Sequence, residues 1–262
     1  MHQFDQLYIN GTWTPNQSLE VTGVINPSSE TLCGSVPTGN AQDVEVAVKA
    51  ARKAFPSWSN TSAEDRSNLL LAITERLHAR QDEIAKIISE EQGSPLFFAK
   101  EVQAGLAGLV MSSYIDKARE MDQIRIIENS IEPEASSHVV KEAVGVCAFI
   151  TPWNYPLHQL VTKVAPALAA GCTMIVKPSQ EAPLNAFILA EIMHEVGLPK
   201  GVFNLVNGDG PSVGEAMSSH PDIHMMSFTG STRAGVLVAK AAADTVKRVS
   251  QELGGKSANI VL

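Results

Sequence analysis

The sequence predicts an α/β fold, a doubly wound and mainly parallel sheet, on three observations. From Ala143 onward, short apolar and branched runs alternate with helical patterns joined by short connections. Those runs are apolar on both faces, as strands covered by helices on each side require. Polar residues gather where the strands end, which is where open parallel sheets bind ligands.

Taken in order, Leu7–Trp13 alternates around an Asn-Gly pair and predicts a small hairpin. A second short strand and turn follow around Val21–Pro27, and Pro37–Asn40 closes this opening section. From Ala41 the period becomes helical, with Val44, Val48, Ala51 and Phe55 on one face and an end expected before Pro56. Ser62 with Asp65 makes a capping box that leads a long helix to about Gln92, with Gly93 just past its end. Leu70, Ile73, Leu77, Ile84 and Ile88 form its buried stripe, and Arg66, Glu75, Arg76 and Arg80 read as its solvated face. A third helix, from Ala99 to about Glu120, is rich in Ala and Gly and so packs closely on a neighbour. Gln123–Lys141 alternates branched residues around Pro133 and a Ser pair, which predicts a protruding hairpin. It is either an oligomer contact or an edge ribbon of the same subunit.

The unit Ala143–Gln180 then reads as strand, crossover helix and strand. Val144, Val146, Phe149 and Ile150 make the first strand, and Pro156 suits the helix's first turn, where its missing N–H costs nothing. Gly171 ends that helix, and Thr173–Val176 make the second strand. Helix Ala182–Val196, strand Phe203–Val206, a glycine-framed turn (Gly208, Gly210, Gly214) into a short helix and strand Ile223–Phe228 continue the alternation. A helix from Ser231 to Ala243, strand and turn Val246–Leu253, and a strand beginning at Asn259–Leu262 complete it. The apolar run at Leu262 suggests a chain that continues. The fold class is therefore α/β: a doubly wound, mainly parallel Rossmann-like sheet with N-terminal helices and a protruding β-hairpin arm. The expected boundaries are 1–122, 123–142 for the arm, and 143–262 for the core.

Bulk properties exclude more than they specify. The 262 residues suit one large domain or one domain with an appendage, and 44% hydrophobic with 18% charged residues is ordinary for a globular protein. Twenty basic against 28 acidic residues leave a formal charge of −8, and basic clusters interleaved with aromatics are missing, so nucleic acid is not an expected partner. Neither a secretory segment nor a run of membrane-spanning length is expected. Cys33, Cys147 and Cys172 form no C-x-x-C pair and fit a reducing compartment, so the expected location is the cytoplasm. His220 and His224 have i, i+4 spacing, but Pro221 lies between them and no metal is expected.

Several residues at strand ends have two readings. Phe228–Thr232 (FTGST) places free N–H groups and hydroxyls at a helix start, which suits a pyrophosphate; alone, it reads sooner as an ordinary capped helix. Lys177 can bond ribose or phosphate, or be a solvated terminus, and Gln180 can bond a ribose. Asn154 offers an amide to a developing oxyanion or simply forms a turn. Glu252, before Gly254 and Gly255, is a candidate general base or an exposed carboxylate. GDGPSVG from Gly208 does not fit the dinucleotide fingerprint.

The joint order of these motifs is more specific. ITPWNYP, AAGCTMIVKPSQ, NLVNGDGPSVG, SFTGSTRAG and QELGGKSANIVL resemble, in sequence and order, the cofactor-binding part of the NAD(P)-dependent aldehyde dehydrogenase family. LYINGTW, NPSSE and EDRSNLLLAITERL extend the resemblance over nearly the whole chain. It implies an oxidoreductase that converts an aldehyde to a carboxylic acid through a thioester. It assigns Asn154 to the oxyanion hole and Glu252 to the base that activates water. Ile150, Trp153, Lys177, Ser179 and Gln180 would line the adenosine end of an NAD or NADP site. Gly210, Phe228, Gly230 and Ser231 would border adenine and pyrophosphate, and Leu253 with Gly254 would adjoin the nicotinamide. The segment near Val140 resembles the family's oligomerisation arm, which implies a homo-oligomer.

Two departures accompany it. Many relatives carry glutamate where this chain has Gln180, so NADP is expected to be tolerated alongside NAD. The family's nucleophilic cysteine lies beyond the ELGGK motif, in a catalytic domain this sequence does not include. Cys147 and Cys172 read as buried core thiols, and Cys33 lies in the opening turn region, so none is expected to replace it. The chain is therefore expected to be a cofactor-binding portion, inactive alone and prone to self-associate through exposed apolar surface. The alternative is a non-catalytic dinucleotide-binding or interaction module derived from the family.

Overall fold

The computed structural model describes residues 1–128 and 135–261. Five short strands open the chain: β1 (His2–Gln3), β2 (Leu7–Ile9), β3 (Thr12–Thr14), β4 (Val21–Asn26) and β5 (Thr31–Pro37). Asn10 and Gly11, at φ 54° and 72°, make the left-handed turn that joins β2 to β3. Helices α1 (Ala41–Ser59), α2 (Ala63–Ala79), α3 (Gln81–Gln92) and α4 (Leu96–Phe98) follow. The last runs through a π-helical turn (Ala99–Ala104) into α5 (Gly105–Ser113), then α6 (Ile115–Arg119). Strands β6 (Arg125–Glu128) and β7 (Ser136–Val139) pair as an exposed antiparallel ribbon, the expected hairpin. Pro133, expected to interrupt it, lies outside the described residues. The rest alternates: β8 (Val146–Ile150), α7 (Pro156–Ala169), β9 (Thr173–Lys177), α8 (Leu184–Glu195), β10 (Phe203–Leu205), a π-helical turn (Gly210–Gly214), α9 (Glu215–Ser219), β11 (Met225–Thr229), α10 (Thr232–Ala243) and β12 (Arg248–Glu252).

The main sheet has the order β12-β11-β8-β9-β10-β2-β3. Its first five strands are parallel, and the opening hairpin adds antiparallel strands at the far edge. Burial on both faces follows from the side-chain alternation of the strands. Cys147, Phe149, Met174 and Val176 join one apolar cluster with α2, α3, α5, α7 and α8. Val146, Ala148, Ile150 and Ile175 join the other, with α1, α9 and α10. The doubly wound class is as expected. The addition of β2–β3 to the main sheet was not legible locally, because an antiparallel edge strand has no sequence signal for its partner.

Five local expectations are corrected. Helix α1 does not stop before Pro56 but continues to Ser59. Pro56 lies on the exposed side, and two residues further Trp58 is buried and donates its Nε1 to Cys172 O at 3.0 Å, anchoring the helix beyond the proline. The long helix to Gln92 is two, broken at Arg80, whose guanidinium binds Glu83 and the α8 carboxylates Glu191 and Glu195. Arg66 is not on a solvated face. It is only 4% exposed, with Nε donating to Ala169 O and its other nitrogens to Thr61 O and Asp122, so charge alone misplaced it. The helix expected over Ala99–Glu120 breaks at Tyr114, although its close packing holds: a Cβ on Gly108 would lie 2.5 Å from the His78 ring. Residues 259–261 form no strand, having no neighbouring strand to bond, and Leu262 lies outside the described residues.

Glu91 joins the N-terminal helices to the sheet. Helix α8 begins at Pro183 without a side-chain cap. The buried Glu91 carboxylate on α3 supplies one instead, accepting from Leu184 N (2.6 Å), Asn185 N (3.1 Å) and Asn185 Nδ2 (2.7 Å). Burial pushes its pKa up to about 7, against the lowering effect of those three donors. Removing the carboxylate strands three buried donors. Glu91→Ala is therefore expected to lower the unfolding free energy by about 3 kcal/mol, read from the urea midpoint; an unchanged midpoint would show that water replaces the cap at no cost.

Candidate functional site

Parallel pairing levels the strand ends. Ile150 is opposite Lys177 on one side and Phe228 on the other, and Thr229 is opposite Glu252. The connections leaving those ends enclose a cleft of about 720 Å³. All of the residues singled out from sequence line it: Asn154 and Glu252, Ile150, Trp153, Lys177, Ser179 and Gln180, Gly210, Phe228, Gly230 and Ser231, Leu253 and Gly254.

The loop after β8 carries Trp153 and Asn154. Asn154 Oδ1 accepts the N–H of Tyr155 at 3.1 Å, which commits the amide oxygen and leaves the N–H₂ as the group offered to the cleft. The turn reading and the donor reading of this residue thus describe one arrangement. Glu252 ends β12 with an exposed side chain, and its backbone carbonyl receives the Gly230 N–H at 3.0 Å.

Lys177 is no solvated terminus. It is 5% exposed, and Nζ donates to Pro178 O (2.9 Å) and Gly208 O (2.8 Å), tying the end of β9 to the turn after β10. Burial lowers its pKa to about 8, and the Asp209 charge works against that shift. Two of its three protons are committed to carbonyls, so one remains for a ligand. Ser179 Oγ accepts the Glu181 N–H at 3.3 Å, while Gln180 is exposed at the rim.

The helix start after β11 borders the cleft. Ser231 caps α10, accepting from Ala234 N at 3.2 Å, and the positive end of this 12-residue helix suits an anion. A Cβ at Gly230 would lie 2.7 Å from the Phe228 ring, so only glycine lets the backbone pass that ring unshifted. Thr229 Oγ1 is buried beside the cleft with no hydrogen-bond partner among the described residues. An orphaned hydroxyl beside a helix N-terminus fits a polar, anionic ligand.

A second cavity of about 400 Å³ lies between α7 and the sheet, and shares Gln159, Thr229 and Glu252 with the cleft. Lys163 lines it, with Nζ donating to Ser227 Oγ at 2.8 Å; burial lowers its pKa to about 8, opposed by the Glu252 charge. Lys163 and Gln159 escaped the sequence reasoning. The signal was there in the polar residues Gln159, Thr162 and Lys163 at helical spacing within an otherwise apolar helix. No cysteine lines the cleft: Cys33 lies in β5, with Sγ bonded to Val24 O, and Cys147 and Cys172 line only the second cavity.

Comparison with known proteins agrees with this geometry. The model of the aldehyde dehydrogenase family matches residues 13–262. A 3-succinoylsemialdehyde-pyridine dehydrogenase from a Pseudomonas species is 49% identical over 265 residues, covering 100% of this chain and 54% of that protein. Among solved structures, aldehyde dehydrogenase C of Pseudomonas syringae, complexed with NAD+ and octanal, superposes with a TM-score of 0.89 at 48% identity. That match covers 98% of this chain and 52% of the other. An aldehyde dehydrogenase from Bartonella henselae gives 0.91 at 42% identity, covering 99% and 54%. The chain spans about half the length of the curated relatives it matches.

The Lys163 environment has a measurable consequence. Its folded pKa of about 8 lies below the value of 10.5 for a free lysine, so between those two values the folded chain binds fewer protons than the unfolded one. Stability then rises with pH across that window. Lysine side-chain NMR should show Lys163 titrating near pH 8, and Lys163→Met should flatten the rise in unfolding free energy. Titration of Lys163 together with the exposed lysines would refute this.

Proposed function

This chain belongs to the aldehyde dehydrogenase family, and on that premise we propose that it forms the NAD(P)-binding part of an enzyme oxidising an aldehyde to a carboxylic acid. The observation that carries the reading is the convergence of every motif on one cleft, at the level ends of four parallel strands. The residues present fit a dinucleotide. The α10 N-terminus and the Thr229 hydroxyl suit the pyrophosphate, Lys177 and Gln180 suit the adenosine ribose, and Leu253 with Gly254 suit the nicotinamide end. When bound, the nicotinamide supplies the two-electron acceptor for the aldehyde carbon.

The chain's own residues provide the rest. The Asn154 N–H₂ donates to the oxyanion that develops when a thiol attacks the aldehyde. The Glu252 carboxylate takes a proton from the water that hydrolyses the thioester. No thiol of this chain lines the cleft, so these residues bind, orient and stabilise but do not supply the nucleophile. That same observation favours the second reading, a dinucleotide-binding module without turnover. The exposed Ile126 and Ile127 on the β6–β7 ribbon support an oligomer contact, and the three free thiols support a cytoplasmic location.

Calorimetric titration is expected to show saturable binding of both NAD+ and NADP+, with no steady formation of NADH from any aldehyde. Gln180→Glu places a carboxylate beside the 2′-phosphate and should weaken NADP+ by about tenfold while sparing NAD+. Absence of binding would leave only a scaffold, and steady turnover would show that a thiol of this chain reaches the cleft. Replacing both Ile126 and Ile127 with Asp should lower the mass seen by light scattering to that of a single chain; an unchanged oligomer would place the contact elsewhere.

A further inference from the structure

The second cavity holds two thiols that the proposed chemistry does not use. Cys147 lies in β8 and Cys172 immediately precedes β9, and the pairing of Cys147 with Met174 and of Val146 with Thr173 sets them diagonally across adjacent strands. Both are free, both are 3% exposed, and both line that cavity. Cys147 Sγ is 4.0 Å from Gly145 O, too far for a strong bond.

The setting of Cys172 favours its thiolate: the neighbouring Cys147 thiol lowers its pKa, as do the main-chain N–H groups of Gly145 and Val144, against the raising effect of burial. Gly145, at φ 125°, cannot be replaced without strain, because a Cβ would lie 2.5 Å from the His224 ring. Consecutive N–H groups of this kind form a concavity for an anion. The buried Arg66 guanidinium adds positive charge and is held in place by Ala169 O and Thr61 O. The Cys172 backbone is itself pinned by Trp58 Nε1. These neighbours lower the pKa of the Cys172 thiol, while the adjacent Cys172 sulfur and burial raise that of Cys147. Cys33 has the opposite setting, with burial and the charges of Glu91 and Glu90 pushing it up.

We propose that Cys147 and Cys172 are an oxidisable dithiol, in which a hydroperoxide reacts at Cys172 and Cys147 then closes a disulfide between β8 and β9. In the first step the Cys172 thiolate attacks the terminal peroxide oxygen and the O–O bond breaks. Sulfur is oxidised to the sulfenic acid, and the leaving alkoxide or hydroxide takes a proton. In the second, the Cys147 sulfur attacks Cys172, the S–O bond breaks, and hydroxide departs as water with the proton from Cys147. The sum is two thiols and one hydroperoxide giving a disulfide, an alcohol (water from hydrogen peroxide) and water.

The test is peptide mapping of the purified chain after graded hydrogen peroxide, thiol alkylation and denaturation. Trypsin separates the two cysteines, because Lys163 lies between them and Lys177 precedes a proline. The expected product is fragment 142–163 joined to 164–200 with the loss of two hydrogens, reversed by dithiothreitol. Cys172 should be consumed about tenfold faster than Cys33. Cys147→Ser should leave a sulfenic acid at Cys172 that dimedone traps, and Cys172→Ser should leave Cys147 fully alkylated. If either variant fails to fold, the map of the unaltered chain decides. Both fragments recovered unlinked and alkylated at peroxide doses that oxidise Cys33, or a link from either thiol to Cys33, would overturn the proposal.

Discussion

The parallel register of β12, β11, β8 and β9 is the constraint on which the rest depends. It sets Glu252 beside Thr229, Phe228 beside Ile150, and Ile150 beside Lys177, so four connections leave the sheet at one height. Each next residue then turns into a loop or helix start whose polar groups face the same space. A one-residue slip would send Cys147 and Phe149 to the opposite face and Asn154 away from Glu252. The registry is protected because β8, β9 and the middle of β11 are buried, with residues of β8 and β9 in apolar clusters on both faces of the sheet, which makes a slip there costly.

Buried polar groups secure the ends of the elements. Glu91 caps α8, Lys177 binds two carbonyls beside the cleft, Arg66 closes the turn after α7, and Trp58 holds the carbonyl of Cys172. Each satisfies main-chain groups that a helix or strand end would otherwise leave without partners in an apolar interior. This explains why several charged residues with no part in the chemistry are inside. It also explains why a lysine at the rim is both a structural tie and a potential ligand: two of its protons are spoken for and the third is not.

Much of the site was legible because strand ends and helix starts are local features. Pro156 and Gly171 bracket α7, Ser231 caps α10, and Gly93 takes the left-handed conformation expected past a helix end. Where the reading failed, a distant partner had reversed a local preference. Pro56 did not end α1 because Trp58 was anchored two residues later, and Arg66 was drawn inward by carbonyls from the α7 end and from Thr61. Lys163 and Gln159 escaped because their importance lies in a cavity between α7 and the sheet, to which the α7 segment does not point by itself.

The sequence by itself determined the α/β class, the order of the elements, the family resemblance and the residues that face the cleft, because periodicity, caps and motif order are properties of short stretches. Tertiary structure alone decided that the opening hairpin completes the main sheet, that Arg66 and Lys177 are buried, and that Cys147 and Cys172 share one cavity. Those facts rest on contacts between segments far apart in the chain, and burial is set by what packs across, not by what lies beside. The strand–helix–strand unit of β8, α7 and β9 joins both levels. Its ends hold the polar rim that the motifs revealed, and its underside holds a pair of thiols that only the pairing of β8 with β9 brings together.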